Sequence, residues 1–116
     1  MENSACNVKP LHEPLVKIIK KNMDSDENIT ILSEYFKMFC DPTRLKIIEA
    51  LLISEMCVCD MANAINLNQS TLSHQIQTLK YMGILKYRKD GKIIYYSIKD
   101  ESIKEILKIT RNKIIK

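Results

Sequence analysis

A mainly α-helical domain carrying one β-hairpin, arranged as a winged helix-turn-helix, is the fold class that this sequence of 116 residues predicts. Three observations carry the prediction. Residues 56–82 hold two short helical patterns, one built on Met61, Ile65 and Leu67 and the other on Leu72, Ile76, Leu79 and Met82, parted by the polar break Asn66-Leu67-Asn68-Gln69. Two helices joined in that way make a helix-turn-helix. Further along, Ile84-Leu85-Lys86-Tyr87-Arg88-Lys89 and Lys92-Ile93-Ile94-Tyr95-Tyr96-Ser97-Ile98 are rich in β-branched and aromatic residues. They flank Asp90-Gly91, a strong hairpin signal, and that hairpin is the wing. Finally, only two glycines and three prolines leave little provision for tight turns elsewhere.

Residues 1–12 are polar and carry Pro10, so a flexible arm is expected there, with residues 13–116 forming one winged-helix and dimerisation domain. A chain of this length buries roughly two-thirds of its unfolded surface, enough for a core without staples. Leu15, Ile18 and Ile19 predict a short amphipathic helix over residues 13–23, and the acidic break Asp24-Ser25-Asp26-Glu27-Asn28 reads as a loop. Ile29, Leu32, Tyr35, Phe36 and Phe39 then mark a helix that buries one stripe. Asp41 is placed to cap the next helix and Pro42 suits its first position; Leu45, Ile48, Leu51 and Leu52 make that helix's inner face. Gly83 is placed to end the second helix of the helix-turn-helix in a left-handed cap. Asp100-Glu101-Ser102 opens a last helix with Ile103, Ile106, Leu107 and Ile114 as its stripe. The first and last helices carry apolar faces that so small a core does not need. A homodimer would bury both; covering the monomer's own core is the plainer alternative.

No apolar run approaches the roughly 20 residues of a membrane span, and the first residues lack the blocks of a signal peptide, so a cytoplasmic protein without membrane contact is expected. In a reducing compartment Cys6, Cys40, Cys57 and Cys59 read as ligands, redox groups or small core residues rather than a disulfide framework. The net charge of +4 decides little, but its distribution does. Between residues 69 and 99, Lys80, Lys86, Arg88, Lys89, Lys92 and Lys99 face only Asp90. The same region contains Gln69, Ser70, Thr71, Ser73, His74, Gln75, Gln77 and Thr78, short hydrogen-bonding side chains suited to phosphates and base edges. Double-stranded DNA is the expected partner. For a two-fold dimer the paired reader helices would meet successive major grooves about 34 Å apart.

Cys57 and Cys59 stand at the start of the supporting helix. Residues two apart in a regular helix diverge, so a shared ion requires an extended or fraying start, where side chains two apart share a face. Thiolates select soft ions, which leaves cadmium, lead, arsenite, antimonite and zinc open. The plainer alternative, that both are small residues packed under the hairpin, is hard to reconcile with their spacing. Cys40, beside Phe39 on an apolar stripe, reads as inert packing. His12 in a polar arm reads as solvated or ligating, and His74 as a DNA contact rather than a ligand.

Taken together, Asp41-Pro42-Thr43-Arg44-Leu45-Lys46-Ile47-Ile48, Met56-Cys57-Val58-Cys59-Asp60-Met61-Ala62, Leu72-Ser73-His74-Gln75-Ile76-Gln77-Thr78-Leu79 and Arg88-Lys89-Asp90-Gly91-Lys92 with Tyr95-Tyr96-Ser97 resemble the ArsR–SmtB family of metal-responsive repressors. The resemblance spans residues 31–109, and Cys-Val-Cys-Asp is similar to the subset sensing arsenite, cadmium or lead. It implies a winged-helix homodimer that leaves its operator when a metal binds. By that resemblance Ser70, Ser73, His74, Gln75 and Thr78 contact DNA from the reader helix, and Arg88, Lys89 and Lys92 from the wing. Cys57 and Cys59 become metal ligands. The cadmium and lead branch adds two thiolates from the partner's arm, where this chain has Cys6 alone, with His12 as a replacement. The zinc branch uses an Asp and two His around the last helix; Asp100 matches, but Ser102 and Lys113 replace the histidines, so that site is absent.

Three other readings compete, the simplest being a repressor whose sensor has decayed, which unchanged DNA affinity across all soft metals would indicate. A thiol-switch repressor of the same fold would use the cysteines as redox groups, joining one of them to a distant cysteine because a ring within Cys-x-Cys is strained. A thiol-dependent metalloid reductase would need a cofactor site or a general base. The sequence offers no glycine-rich phosphate loop, no acid–base pair and only two histidines, so no enzymatic activity and no small-molecule substrate are expected.

Overall fold

The computed structural model describes residues 8–115. The chain divides into two compact units, the first ending at Ser33 and the second running from Glu34. The first holds α1 (Glu13–Asn22) and most of α2 (Asp26–Lys37). Pro14 sits in the first turn of α1, where its missing N–H is harmless. The acidic segment is not all loop, as expected from its composition: α2 already starts at Asp26. The Ser25 hydroxyl accepts from the Asn28 N–H at 3.2 Å, and Asp26 and Glu27 lie where a helix's positive end favours anions. Neither helix has a buried residue; Leu15, Ile18, Ile19, Ile29 and Leu32 are all about half exposed.

The second unit is the winged helix-turn-helix. It continues with α3 (Pro42–Ile53), β1 (Met56–Cys57), α4 (Val58–Ile65), α5 (Gln69–Tyr81), β2 (Leu85–Asp90), β3 (Ile93–Ile98) and α6 (Ser102–Ile114). Asp41 caps α3, its carboxylate accepting from the Arg44 N–H at 3.0 Å. Asn66 ends α4 in the left-handed conformation at φ 56°, and Asn68 caps α5 through the Thr71 N–H at 2.8 Å. The polar break thus consists of one helix stop and one helix start, two residues apart. Gly83 at φ 78° closes α5 as its position foretold, with the Ile84 N–H donating back to the Leu79 carbonyl at 3.0 Å.

The core is one cluster: Ile47, Ile48, Leu51, Met61, Leu72, Ile76, Leu79, Ile84, Leu85, Tyr96, Ile98 and Ile103. Ile47, absent from the predicted inner face of α3, is fully buried because α3 packs against α4, α5 and β3 together, wider than one stripe covers. The predicted stripe of α6 divides: Ile103 is buried and Leu107 half-buried, while Ile106 and Ile114 are exposed. The sheet has three strands, not the two of a simple hairpin, in the order β1-β3-β2. Met56 and Cys57 add a short edge strand, antiparallel to β3, with Met56 opposite Tyr96 and Cys57 opposite Tyr95.

Candidate nucleic-acid interface and metal centre

Buried Leu72, Ile76 and Leu79 anchor one face of α5. The opposite face is left to solvent, and Gln69, Ser70, Thr71, Ser73, His74 and Gln77 are exposed on it. Gln75 and Thr78 are half-buried and already engaged. Thr78 donates to the His74 carbonyl at 3.2 Å, and the Gln75 amide oxygen faces the Arg44 guanidinium at 3.5 Å. Arg44 ties the reader to the end of α2, donating from Nη2 to the Lys37 carbonyl at 2.9 Å and from Nε to that of Met38 at 3.2 Å. Its role was not apparent in the motif Asp-Pro-Thr-Arg, where Asp41 and Pro42 alone explained a helix start.

The wing presents Lys89 and Lys92 on either side of the turn, which Gly91 completes at φ 64°. Arg88 is held differently. Its Nε and Nη2 donate to the two carboxylate oxygens of Glu55 at 3.0 and 2.8 Å, and its guanidinium lies 4.5 Å from the centroid of the Tyr95 ring. The Arg88 bond holds the Glu55 carboxyl below its ordinary value, and the same bond raises Arg88. Glu55 and Tyr95 carry functional geometry that sequence reasoning missed. Glu55 stands 33 residues from Arg88, and only the pairing of both β1 and β2 with β3 brings them together.

The two cysteines straddle a junction. Cys57 is the last residue of β1 and the extended N-cap of α4, at φ −83° and ψ 166°, and is half-buried; Cys59 lies in the first helical turn and is exposed. The extended start expected for a shared ion therefore holds at Cys57 and ends at Val58. Neither thiol is sealed in the core. Cys40 departs from expectation: it is exposed rather than packed, its thiol donating to the Phe36 carbonyl at 3.4 Å, because the chain turns at residues 38–41 and carries it off the stripe. His12 is exposed in the first unit, just before α1, and Cys6 lies outside the described residues. Among the described residues no three His, Cys, Asp or Glu side chains form a group able to hold an ion. Two thiols of the right softness thus stand two residues apart at the doorway, short of the three or four donors that close a thiolate site. Asp100, first member of the zinc-branch pattern, instead accepts from the Ser102 N–H at 2.9 Å and starts α6. No helix among the described residues is long and apolar enough to cross a membrane.

Residues 41–87 match the family described as "Bacterial regulatory protein, arsR family". A cadmium resistance transcriptional regulatory protein CadC homolog of Staphylococcus aureus is 42% identical over 108 residues, covering 92% of this chain and 88% of that protein. Among solved structures, the AntR antimony-specific transcriptional repressor superposes with a TM-score of 0.71 at 27% identity, covering 95% of each chain. A homodimeric winged helix-turn-helix DNA-binding domain from Mycobacterium bovis superposes at 0.67 with 26% identity, over 78% of this chain and 86% of that one. A supporting helix, a capped reader helix and a basic wing, matched nearly end to end by such relatives, place the chain in the ArsR family of bacterial regulatory proteins: it is a DNA-binding transcription regulator of the winged helix-turn-helix fold.

Proposed function

We propose that the chain is a repressor that binds operator DNA as a homodimer in the cytoplasm and releases it when a soft ion, cadmium, lead, arsenite or zinc, is captured by Cys57 and Cys59. One observation carries this reading: the two thiols sit where the short strand β1 becomes the supporting helix α4, so they touch the wing's sheet on one side and the helix behind the reader on the other. The names of the relatives support it, since one is a cadmium resistance regulator and another an antimony-specific repressor. Cys6 and His12 are the further donors that would complete the shell of an ion. The homodimeric relative supports the two-fold arrangement, as do the exposed apolar residues of α1 and α6.

In this reading Gln69, Ser70, Thr71, Ser73, His74, Gln75 and Thr78 lie along the major groove, while Arg88, Lys89 and Lys92 reach phosphate. A captured cation draws the two sulfurs together across the junction. Cys57 is laddered to Tyr95 and Cys59 is wound into α4, so strand and helix then move as one piece.

The test is fluorescence anisotropy at fixed salt on a labelled duplex that the metal-free protein selects from a random library. Each ion is added in turn to wild type, Cys57→Ser and Cys59→Ser. The wild type should release the duplex with at least one ion and both variants should hold it; a full response in Cys57→Ser refutes the assignment. Cross-linked dimers on non-reducing gels after mild peroxide, with no response to any ion, would point to the thiol switch instead.

A further inference from the structure

Residues directly opposite one another in an antiparallel sheet present side chains to the same face. Cys57, Tyr95 and Arg88 occupy one such row, because Tyr95 on the central strand pairs with Cys57 on β1 and with Arg88 on β2. The next row, Met56, Tyr96 and Tyr87, takes the other face, where Tyr96 is buried. Arg88 therefore starts on the far strand, crosses over the Tyr95 ring and ends on Glu55, the residue two before Cys57. One edge and one face of the fork are committed: Nε and Nη2 face the carboxylate, and one flat side faces the ring. Lys86, Arg88 and Asp90 alternate onto this face of β2, so Arg88 is the member of the wing's basic set whose charge is cancelled by a bidentate partner. Lys89 and Lys92 flank the turn, and among the described residues neither is paired with a carboxylate.

We propose that Glu55 is an acidic latch on the wing: its carboxylate competes with DNA phosphate for the Arg88 guanidinium, and so sets how tightly the wing grips the duplex. A guanidinium that donates through Nε and Nη2 to a carboxylate has one edge left, and a phosphate approaching that edge meets the carboxylate's charge nearby. Engaging DNA with the full fork requires the Glu55 pair to open. The pair is exposed on both sides, so opening it costs little and the competition is a balanced one. Glu55 adjoins the strand that ends at Cys57, so anything that moves β1 moves the latch. That last link rests on the proposed function; the competition with phosphate does not.

Phosphate contacts are independent of sequence, so a fluorescein-labelled duplex of mixed sequence is a sufficient probe. Binding is measured across a salt series for wild type, Glu55→Gln, Arg88→Gln and the double variant, without added metal. Glu55→Gln should bind about two- to five-fold tighter at low salt, the range that an exposed ion pair spans. Its plot of log affinity against log salt should steepen by about 0.9, the slope of one added phosphate contact. In the Arg88→Gln background the same change should have no effect. Weaker binding by Glu55→Gln would show that the carboxylate orients Arg88 for DNA, and an equal gain in the Arg88→Gln background would show only a general loss of negative charge; either result overturns the latch. A wild type that releases its selected duplex with no ion defeats the proposed metal response and leaves these four measurements decisive on their own.

Discussion

Replacing Arg44 by Ala tests whether the end of α2 is pinned by one side chain. Arg44 donates to two carbonyls at the end of α2, Lys37 at 2.9 Å, which also accepts from the Cys40 N–H at 3.1 Å, and Met38 at 3.2 Å. Both bonds carry the guanidinium's charge, which places them above neutral hydrogen bonds. One is exposed and the other half-buried, so each is worth about 1 kcal/mol, below the full range for charged donors. The contact with Gln75 at 3.5 Å is too long to add much. Arg44→Ala should therefore cost about 2 kcal/mol of the roughly 5–15 kcal/mol that holds a small domain folded. The cap of α3 survives the change, because Asp41 accepts from the backbone N–H of residue 44. Arg44→Lys keeps one cationic donor without the fork and should lose about half as much. Urea unfolding followed by circular dichroism at one protein concentration gives the answer, read from the midpoint at an unchanged slope. Arg44→Ala within about 0.5 kcal/mol of wild type would refute the reasoning and leave the motif's Arg without a structural role.

Asn66 holds φ 56° at the end of α4, so Asn66→Gly should be tolerated within a few tenths of a kcal/mol while Asn66→Val loses about 1–2 kcal/mol, compared by thermal melts. The Ser102 N–H bond holds the Asp100 carboxyl below its ordinary 3.8. Stability from that contact is therefore present above pH 3.8 and lost as pH falls through the lowered value; the advantage of wild type over Asp100→Asn should shrink on acidification, and a pH-independent difference would contradict it. Lys92→Gln at the wing's turn should weaken binding to all duplexes alike and flatten the salt dependence by about 0.9; a loss confined to one sequence would make it a base contact instead.

Most of the helical scaffold was legible because its signals are local. Asp41 precedes a helix by one residue, Gly83 follows one, and Leu72, Ile76 and Leu79 repeat at helical spacing. Each conclusion needed no more than a turn of chain. What escaped depends on pairing across distance. The strand of Met56 and Cys57 is two residues long, far too short for a pattern of alternation, and exists because β3 supplies an open edge. The Glu55–Arg88 pair follows from that strand and was invisible for the same reason. Cys40 misled because a helical stripe was extended past the place where α2 stops, and the start of α2 was missed because acidic residues suit a helix N-terminus as well as a loop.

If Cys57 and Cys59 capture an ion as proposed, their position limits how that ion can act. An ion that binds free and DNA-bound protein equally shifts nothing, whatever its affinity, so the doorway must differ in shape between the two states. Couplings between sites typically amount to 1–3 kcal/mol, which is about 5- to 150-fold in DNA affinity. Neither reader nor wing need supply all of it. Cys59 is wound into α4, which packs on α5, and Cys57 is laddered through Tyr95 to the strand bearing Arg88, so one small displacement there would act on both elements proposed to contact DNA. In that reading, losing a single phosphate contact at the wing accounts for a few-fold, and the rest comes from α5 being carried along with α4, because their shared core residues Met61, Leu72 and Ile76 are fully buried and leave no slack to absorb a shift. The same coupling runs backwards: operator DNA must weaken the ion's binding by the factor with which the ion weakens DNA, and competition with a chromophoric chelator, with and without duplex, measures it directly.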